Sequence, residues 1–538
     1  MKSKYWLPLV LAVVFVVGLL VGSKINSSFS LKSHGQDKLL NVMDLIQENY
    51  VDEVDFDSLV EMTIPAMISN LDPHSSYITS KDLESSNVEL EGKISGIGIT
   101  FNILHDTITV MEVTPGGPSE RMGIIPGDRI VKIDGESVAG KKIKANDVMN
   151  RLRGEKGTHV MVSVKRSTSK IPLHFDLTRD DVPMLSVEST YMVDPKTGYI
   201  KLARFSRNTY SEFLQALNKL RIDGAQRYII DLRSNTGGYM EPAIMMINEF
   251  LDAGDVIVSL RGRKTSENHT IHADGTGAFK DVELIVLINE NTASASEIFS
   301  GAIQDNDRGW VIGRRSFGKG LVQHPILLPD SSELRLTVQR YYTPSGRSIQ
   351  KEYKSGDNDQ YEAELINRFL KGESLSADSI KLNLDDNYLT AGGRTVYGGG
   401  GIMPDVFVPE DTTKITSYYV NVFNQNMIQR FAYEYTDLNR NDLEKAKDVD
   451  QLLKKLPSDE ILISSFAHYA AMNGIPARWY YINISSPLIV NEIKADIARN
   501  ILGVSAFYEL YNRNDNTFIE ALKYVDKPVL QDKSATPK

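Results

Sequence analysis

Two hydroxyl groups and one amine are placed to do chemistry. Ser294 and Ser296 lie in NTASASEIFSGAIQD, residues 291–305, and Lys319 lies in SFGKGLVQ, residues 316–323. A serine beside the free N–H groups of a helix start can attack a carbonyl, because those groups favour the negative charge that develops. Such a serine needs a base. Neither stretch contains a histidine, so Lys319, set among small residues, is the candidate. Either serine fits the nucleophile's place. The same residues also fit an ordinary helix start: Ser294 followed by Glu297 is a capping box, S-x-x-E, and Gly318-Lys319-Gly320 reads as a surface turn.

The elements that must position these groups alternate strand and helix. ELIVLIN (283–289) predicts a buried strand entering the first stretch, and Ile298, Ala302 and Ile303 predict a helix leaving it. Upstream, the pattern predicts a strand over 198–205, a helix over 209–222, a strand over 227–233, the turn SNTGG (234–238), a helix over 240–251 and a strand over 255–260. Such alternation specifies an α/β domain. Strands are expected again over 321–328 and 333–342. Residues 351–395 read as a polar, helical excursion, and VYGGGGIMPDV (396–406) returns to small residues.

Before this domain, residues 36–85 read as helices, the second over about 56–69 and ended by LDPHSSY (71–77), where Pro73 disfavours helix at Asp72. His74 has no partner at metal-ligand spacing and reads as a turn residue. Residues 88–180 are β-rich. SGIGITF (95–101), a short helix before Gly123, the Pro126-Gly127-Asp128 turn and the Ile133-Asp134-Gly135 hairpin closely resemble a PDZ domain. That likeness implies that Gly96, Ile97 and Gly98 offer N–H groups to a peptide's terminal carboxylate, with an apolar pocket including Ile99 reading the last side chain. After the α/β domain, residues 416–538 read as mainly helical, with helical spacing over 443–456 and 489–502.

Composition narrows the possibilities. The 538 residues carry a net charge of −10, which argues against a nucleic-acid binder. The absence of cysteine excludes disulfides, thiolate catalysis and iron–sulfur clusters. Lys2 and Lys4 precede 18 uncharged residues, Tyr5 to Gly22, long enough to span or nearly span a bilayer as a helix. The flanking lysines put the rest of the chain outside the cytoplasm. The expected organisation is an anchor (1–24), a helical region (25–87), a PDZ-like β-module (88–180), an α/β core (181–415) and a helical C-terminal region (416–538). This is a multidomain α+β chain with an N-terminal membrane helix, the rival being a cleaved signal peptide.

Three near-matches carry less. GRRSFGKG (313–320) lacks the final hydroxyl of a phosphate-binding loop and leads into a strand-like run instead of a helix. His269 and His272 form H-x-x-H without a glutamate between them, which is not a zinc-peptidase pattern. His324 sits near the lysine stretch but occupies a strand position.

Taken in order, the helical segment, the PDZ-like module, DLRSNTGG, NTASASEIFSGAIQD, FGKGLVQ and YGGGGIMPD resemble the C-terminal processing (tail-specific) peptidases over roughly residues 36–410. The resemblance implies a serine peptidase with a Ser-Lys dyad. Its nucleophile matches Ser294, its lysine matches Lys319 25 residues later, and its glutamine matches Gln323. Thr292 stands where the family has a serine. The resemblance further implies an oxyanion site from the N–H of Ala295 and one of Gly237 or Gly238, and no metal or cofactor. The substrates would be proteins with accessible C-termini, captured by the PDZ module, in an extracytoplasmic (periplasmic) setting at the membrane. Residues 416–538 lie outside the resemblance, and their pattern suits homodimerisation, an adaptor site or a structural cap. The alternative of another class is a catalytically inactive PDZ-type scaffold, against which the intact Ser294, Lys319 and Gln323 speak.

Overall fold

The computed structural model describes residues 10, 12–17, 34–166, 169–381 and 383–529. Most of the expected anchor lies outside them. Among the described residues no helix is long and apolar enough to cross a membrane.

The chain divides into two units, Met1–Ile68 and Ser69–Lys538. The first contains the helix His34–Asn49 and most of the helix Phe56–Ser69, which accommodates Pro65. Leu39, Leu40, Val42 and Leu45 of the first helix are exposed, so its apolar spacing does not correspond to a buried stripe.

The second unit is built on a six-stranded sheet in the order Val187–Asp194, Thr197–Leu202, Arg227–Asp231, Glu283–Ile288, Trp310–Gly313, Val406–Phe407. The first pair is antiparallel and every later pair is parallel, as strand–helix alternation requires. The strand Glu283–Ile288 shows why its sequence is apolar throughout. Leu284, Val286 and Ile288 face one core with Phe250 and Phe299, while Ile285 and Leu287 face another with Tyr199, Ile229 and Phe518. Both sides of the sheet are covered, so both sides of the strand are apolar.

The second cover comes from the C-terminal region. Phe518 and Ala521 belong to the helix Asn516–Leu522 and pack on the sheet. The rest of the region is helical, but the expected helix over 443–456 is broken. Met427–Leu443 ends, and Asp448 starts the next helix, Val449–Leu453, by accepting from the Gln451 N–H. An N-cap aspartate is worth about 1 kcal/mol, enough to favour two short helices over one. This region also reaches the PDZ-like module, where Asp437 pairs with Arg129 at 3.1 Å and Glu434 with His105 at 2.8 Å. On the core side, Asp515 pairs with Arg233 at 2.7 Å. The C-terminal helices therefore brace the module against the core.

The module itself holds the antiparallel strands Ile99–Leu104, Thr107–Val113, Arg129–Ile133, His159–Lys165 and Leu173–Thr178, with the helix Ala145–Leu152 beside them. A second antiparallel sheet carries the lysine stretch: Leu321–Leu327 pairs with Glu333–Tyr342, which also pairs with Ser76–Ile78 and Val256–Gly262. Among the described residues the excursion over 351–395 is helical at Asn358–Leu370 and in a short turn at Ala377–Ser379. It ends in the hairpin Asn387–Leu389/Thr395–Tyr397.

Candidate active site

Ser294 stands between the strand Glu283–Ile288 and the helix Ala295–Asp305, with φ 56° and ψ −117°. A non-glycine residue there costs about 1–3 kcal/mol and persists only where its surroundings impose it. Two groups do so. The Glu297 carboxylate accepts from the Ser294 N–H at 2.9 Å, and the Tyr341 hydroxyl lies 3.2 Å from the Ser294 carbonyl. Both groups also hold Lys319. The same Glu297 oxygen accepts from the Lys319 N–H at 2.8 Å, and the Tyr341 hydroxyl also donates to the Lys319 carbonyl. The other Glu297 oxygen accepts from Gly318 N–H at 2.7 Å and from the Ser316 hydroxyl. One fully buried carboxylate and one fully buried phenol thus fix the backbones of Ser294 and Lys319 to each other.

Glu297 was legible from sequence only as a capping residue. Its bond to the Ser294 N–H is one half of that box, and the bonds to the lysine loop are the part that spacing does not reveal. Burial pushes its pKa up to about 7, against four donors that pull it down. These bonds also answer the phosphate-loop motif at 313–320: the N–H groups of Gly318 and Lys319 are taken by a carboxylate and are not free to cradle a phosphate.

The YGGGG stretch backs the lysine loop. The Ser316 hydroxyl accepts from the Ile402 N–H at 2.6 Å, and a Cβ on Gly401 would lie 2.4 Å from the Ser316 carbonyl oxygen. Only glycine permits that approach.

Ser294, Lys319 and Gln323 line one groove of about 830 Å³, with Gly237, Gly238 and Ala295. The N–H of Gly237 donates to Asn235 Oδ1 at 2.9 Å. Among the described residues the N–H groups of Gly238 and Ala295 have no partner. Lys319 Nζ makes no hydrogen bond to Ser294 or Gln323 among the described residues, and the Gln323 amide donates to Thr337 Oγ1 at 3.1 Å. Burial lowers the Lys319 pKa below its ordinary 10.5 and Arg335 lowers it further, while Glu297 and Asp72 oppose the shift.

Ser296 is buried and donates to the Asn235 carbonyl at 3.0 Å, which supports the SNTGG turn. His324 is exposed on its strand and outside the groove. His269 and His272 point their Nδ1 atoms at backbone carbonyls. His74 differs from its reading as a turn residue only: it lines the Ser294 groove and lies 2.7 Å from the Tyr361 hydroxyl. Burial and the nearby Lys319 bring its pKa down from 6.5 to about 4, so it is neutral at physiological pH. Tyr361 is remote in sequence, and no spacing signal joins the two.

A second groove, of about 750 Å³, runs along the PDZ-like module. Gly96, Ile97, Gly98 and Ile99 line it, opposite Met149 and Leu152 of the helix Ala145–Leu152. The carbonyls of Ile97 and Gly98 accept from Ser119 and Thr114, while among the described residues their N–H groups have no partner. Ser86, Glu89 and Arg204 line both grooves, so the two adjoin.

Comparison with known proteins fits this geometry. A carboxy-terminal-processing protease of Bartonella bacilliformis is 36% identical over 314 residues, covering 58% of this chain and 71% of the relative. The chain belongs to the carboxy-terminal-processing peptidases of family S41. The description of peptidase family S41 matches residues 196–358, and that of a PDZ domain matches 109–166. The N-terminal domain of the activating protease CtpB matches 22–82, and a family of unknown function matches 418–503. A probable CtpA-like serine protease of Staphylococcus aureus is 33% identical over 343 residues, 63% of this peptidase and 68% of that protein. Among solved structures, the photosystem II D1 C-terminal processing protease is 25% identical. It covers 70% of this S41 peptidase and 87% of that chain, with a TM-score of 0.37. The S41 assignment makes the protein a serine-type peptidase.

Proposed function

We propose that Ser294 is the nucleophile and Lys319 the general base of this serine peptidase, which cleaves protein substrates near their C-termini. The observation that carries the assignment is the double tie of Ser294 to Lys319 through Glu297 and Tyr341, in a groove where the Gly238 and Ala295 N–H groups have no partner among the described residues. Neutral Lys319 Nζ takes the Ser294 hydroxyl proton as Oγ bonds to the scissile carbonyl carbon. The resulting ammonium returns that proton to the leaving amine as the C–N bond breaks. Lys319 then deprotonates a water, which releases the C-terminally shortened chain from Ser294. The Ala295 and Gly238 N–H groups hold the oxyanion; the Gly237 N–H is already spent on Asn235. Gln323 orients the lysine.

The PDZ groove binds the substrate's terminal carboxylate at Gly96, Ile97 and Gly98, and Ile99, Met149 and Leu152 contact the last side chain. The adjoining groove takes the chain on to Ser294, and tethering raises its local concentration there. The missing Lys319–Ser294 hydrogen bond suits an unengaged state, which substrate capture shifts towards the aligned one. The same reading places the enzyme outside the cytoplasm, in the periplasm, held by an N-terminal membrane anchor. Residues 416–538 supply an adaptor or homodimer surface in addition to bracing.

The test is cleavage of unfolded casein by wild type, Ser294→Ala and Lys319→Ala. Both variants are expected to be inactive. Equal residual cleavage in all three would remove the dyad, and an inactive wild type would favour the scaffold alternative.

A further inference from the structure

Gln323 is held from its far side. Its Nε2 donates to Thr337 Oγ1 at 3.1 Å, and Thr337 Oγ1 donates to Asp72 Oδ1 at 3.1 Å. Asp72 is 6% exposed and accepts from four donors: the His74 and Ser75 N–H groups at 2.8 Å each, the Ser75 hydroxyl at 2.6 Å, and the Thr337 hydroxyl at 3.1 Å. Ser75 Oγ in turn accepts from the Thr337 N–H at 3.0 Å. The LDPHSSY turn is thereby fastened to the strand that carries Thr337, opposite Gln323 in the antiparallel register.

These bonds have a fixed polarity. An ionised carboxylate only accepts. The Thr337 proton must therefore point at Asp72, and the Thr337 oxygen must accept from Gln323. The Gln323 Nε2 is thereby committed to Thr337, and among the described residues its Oε1 has no hydrogen-bond partner. Hydrogen bonding to its neighbours holds the Asp72 pKa below the usual carboxylate value in spite of burial, which keeps it ionised.

We propose that Asp72, acting through Thr337, is a positioning residue that sets the orientation of Gln323 and gives the Lys319 ammonium a buried counter-charge during catalysis. This rests on the Ser294–Lys319 reading. When Lys319 takes the serine proton, Gln323 Oε1 accepts one of its N–H groups and the Asp72 carboxylate opposes the new positive charge. The charged groups acting on Lys319 are Glu297 and Asp72, which favour its ammonium form, and Arg335, which opposes it. His74, between the turn and Tyr361, stays neutral and adds none.

The test uses the full chain and steady-state cleavage of a peptide substrate across pH. Thr337→Val keeps the shape and breaks the relay. It is expected to lose about 10- to 100-fold in kcat with KM unchanged, the range in which a modest misorientation of a catalytic group falls. Thr337→Ser restores the hydroxyl and is expected to return to within a few-fold of wild type. Asp72→Asn keeps an acceptor at Oδ1 and removes the charge. Because Asp72 raises the Lys319 pKa, its loss moves the acid limb of kcat/KM to lower pH, which a merely structural role would not do. Wild-type kcat in Thr337→Val, or no rescue in Thr337→Ser, would overturn the relay, and an unmoved limb in Asp72→Asn would overturn the counter-charge. If Asp72→Asn fails to fold, the two Thr337 variants decide. Lys319→Ala run alongside separates the two readings. If it is inactive while Thr337→Val is normal, only the relay fails; if it is active, the dyad itself fails.

Discussion

Replacing Glu297 by glutamine is the sharpest perturbation of the site, because it exchanges one oxygen for an NH2 group and leaves the volume nearly unchanged. In the native protein the two carboxylate oxygens receive four donors: Ser294 and Lys319 N–H on one, Gly318 N–H and the Ser316 hydroxyl on the other. A glutamine amide has one acceptor oxygen, and its NH2 faces two groups that can only donate or must reorient. Whichever way the amide turns, two charge-assisted bonds are lost. At about 1.5–3 kcal/mol each, the loss is about 3–6 kcal/mol. For a domain of this size about 1 kcal/mol shifts the midpoint by 2–4 °C, so thermal unfolding is expected to begin about 10 °C earlier. The catalytic effect is separate. Without the tie, Ser294 relaxes from its strained conformation and moves relative to Lys319, and a displacement of about 1 Å costs on the order of 100-fold. Calorimetry and peptide cleavage on the same preparation, measured well below the lowered midpoint, separate the two. A Glu297→Gln enzyme with native stability and native kcat would refute the claim that this carboxylate sets the dyad's geometry.

Two further outcomes follow from the groove. His74 has a folded-state pKa lowered from 6.5 to about 4, so its contribution is complete above 6.5 and is lost as pH falls through about 4. Urea unfolding should show up to about 3 kcal/mol of stability disappearing in that window, and His74→Phe should flatten the loss; an unchanged profile would argue against burial of a neutral ring. Gly237→Ala places a methyl group at φ +96°, 2.8 Å from Ser294 Cβ and 2.9 Å from the Ala295 N. Turnover should fall about 100- to 1,000-fold, the cost of losing an oxyanion donor, while calorimetric binding of a C-terminal peptide to the PDZ groove stays unchanged.

Much of this architecture is readable from local pattern. The helix Thr209–Ile222 and the strand Glu283–Ile288 fall where their apolar patterns put them, because the helix buries one regular face and the strand buries both. That Ser294, Lys319 and Gln323 line one groove is foreshadowed in the sequence, because short motifs carry all three. What escapes sequence is long-range polar pairing. Thr337 meets Asp72 across 265 positions and His74 meets Tyr361 across 287, and neither pair has a periodic signature. Glu297 hides for another reason, since a capping-box glutamate and a glutamate bridging two loops have the same spacing from Ser294. The broken helix at 443–456 shows local competition: the charges of LEKAKD suit a helix, but Asp448 satisfies a new helix start better. Residues Phe518 and Ala521 look like ordinary helix-face residues until the sheet they cover is in view.

The central claim is that a part-buried amine activates one particular hydroxyl, and covalent labelling measures this directly. Full-length enzyme is treated with a fluorophosphonate across pH, and the modified residue is located by mass spectrometry of its peptides. The account predicts label on Ser294 alone and a rate that rises with pH as Lys319 loses its proton, at a midpoint below 10.5 because burial lowers that pKa. Lys319→Ala should abolish labelling. Label on Ser296, or an equal rate in Lys319→Ala, would contradict it.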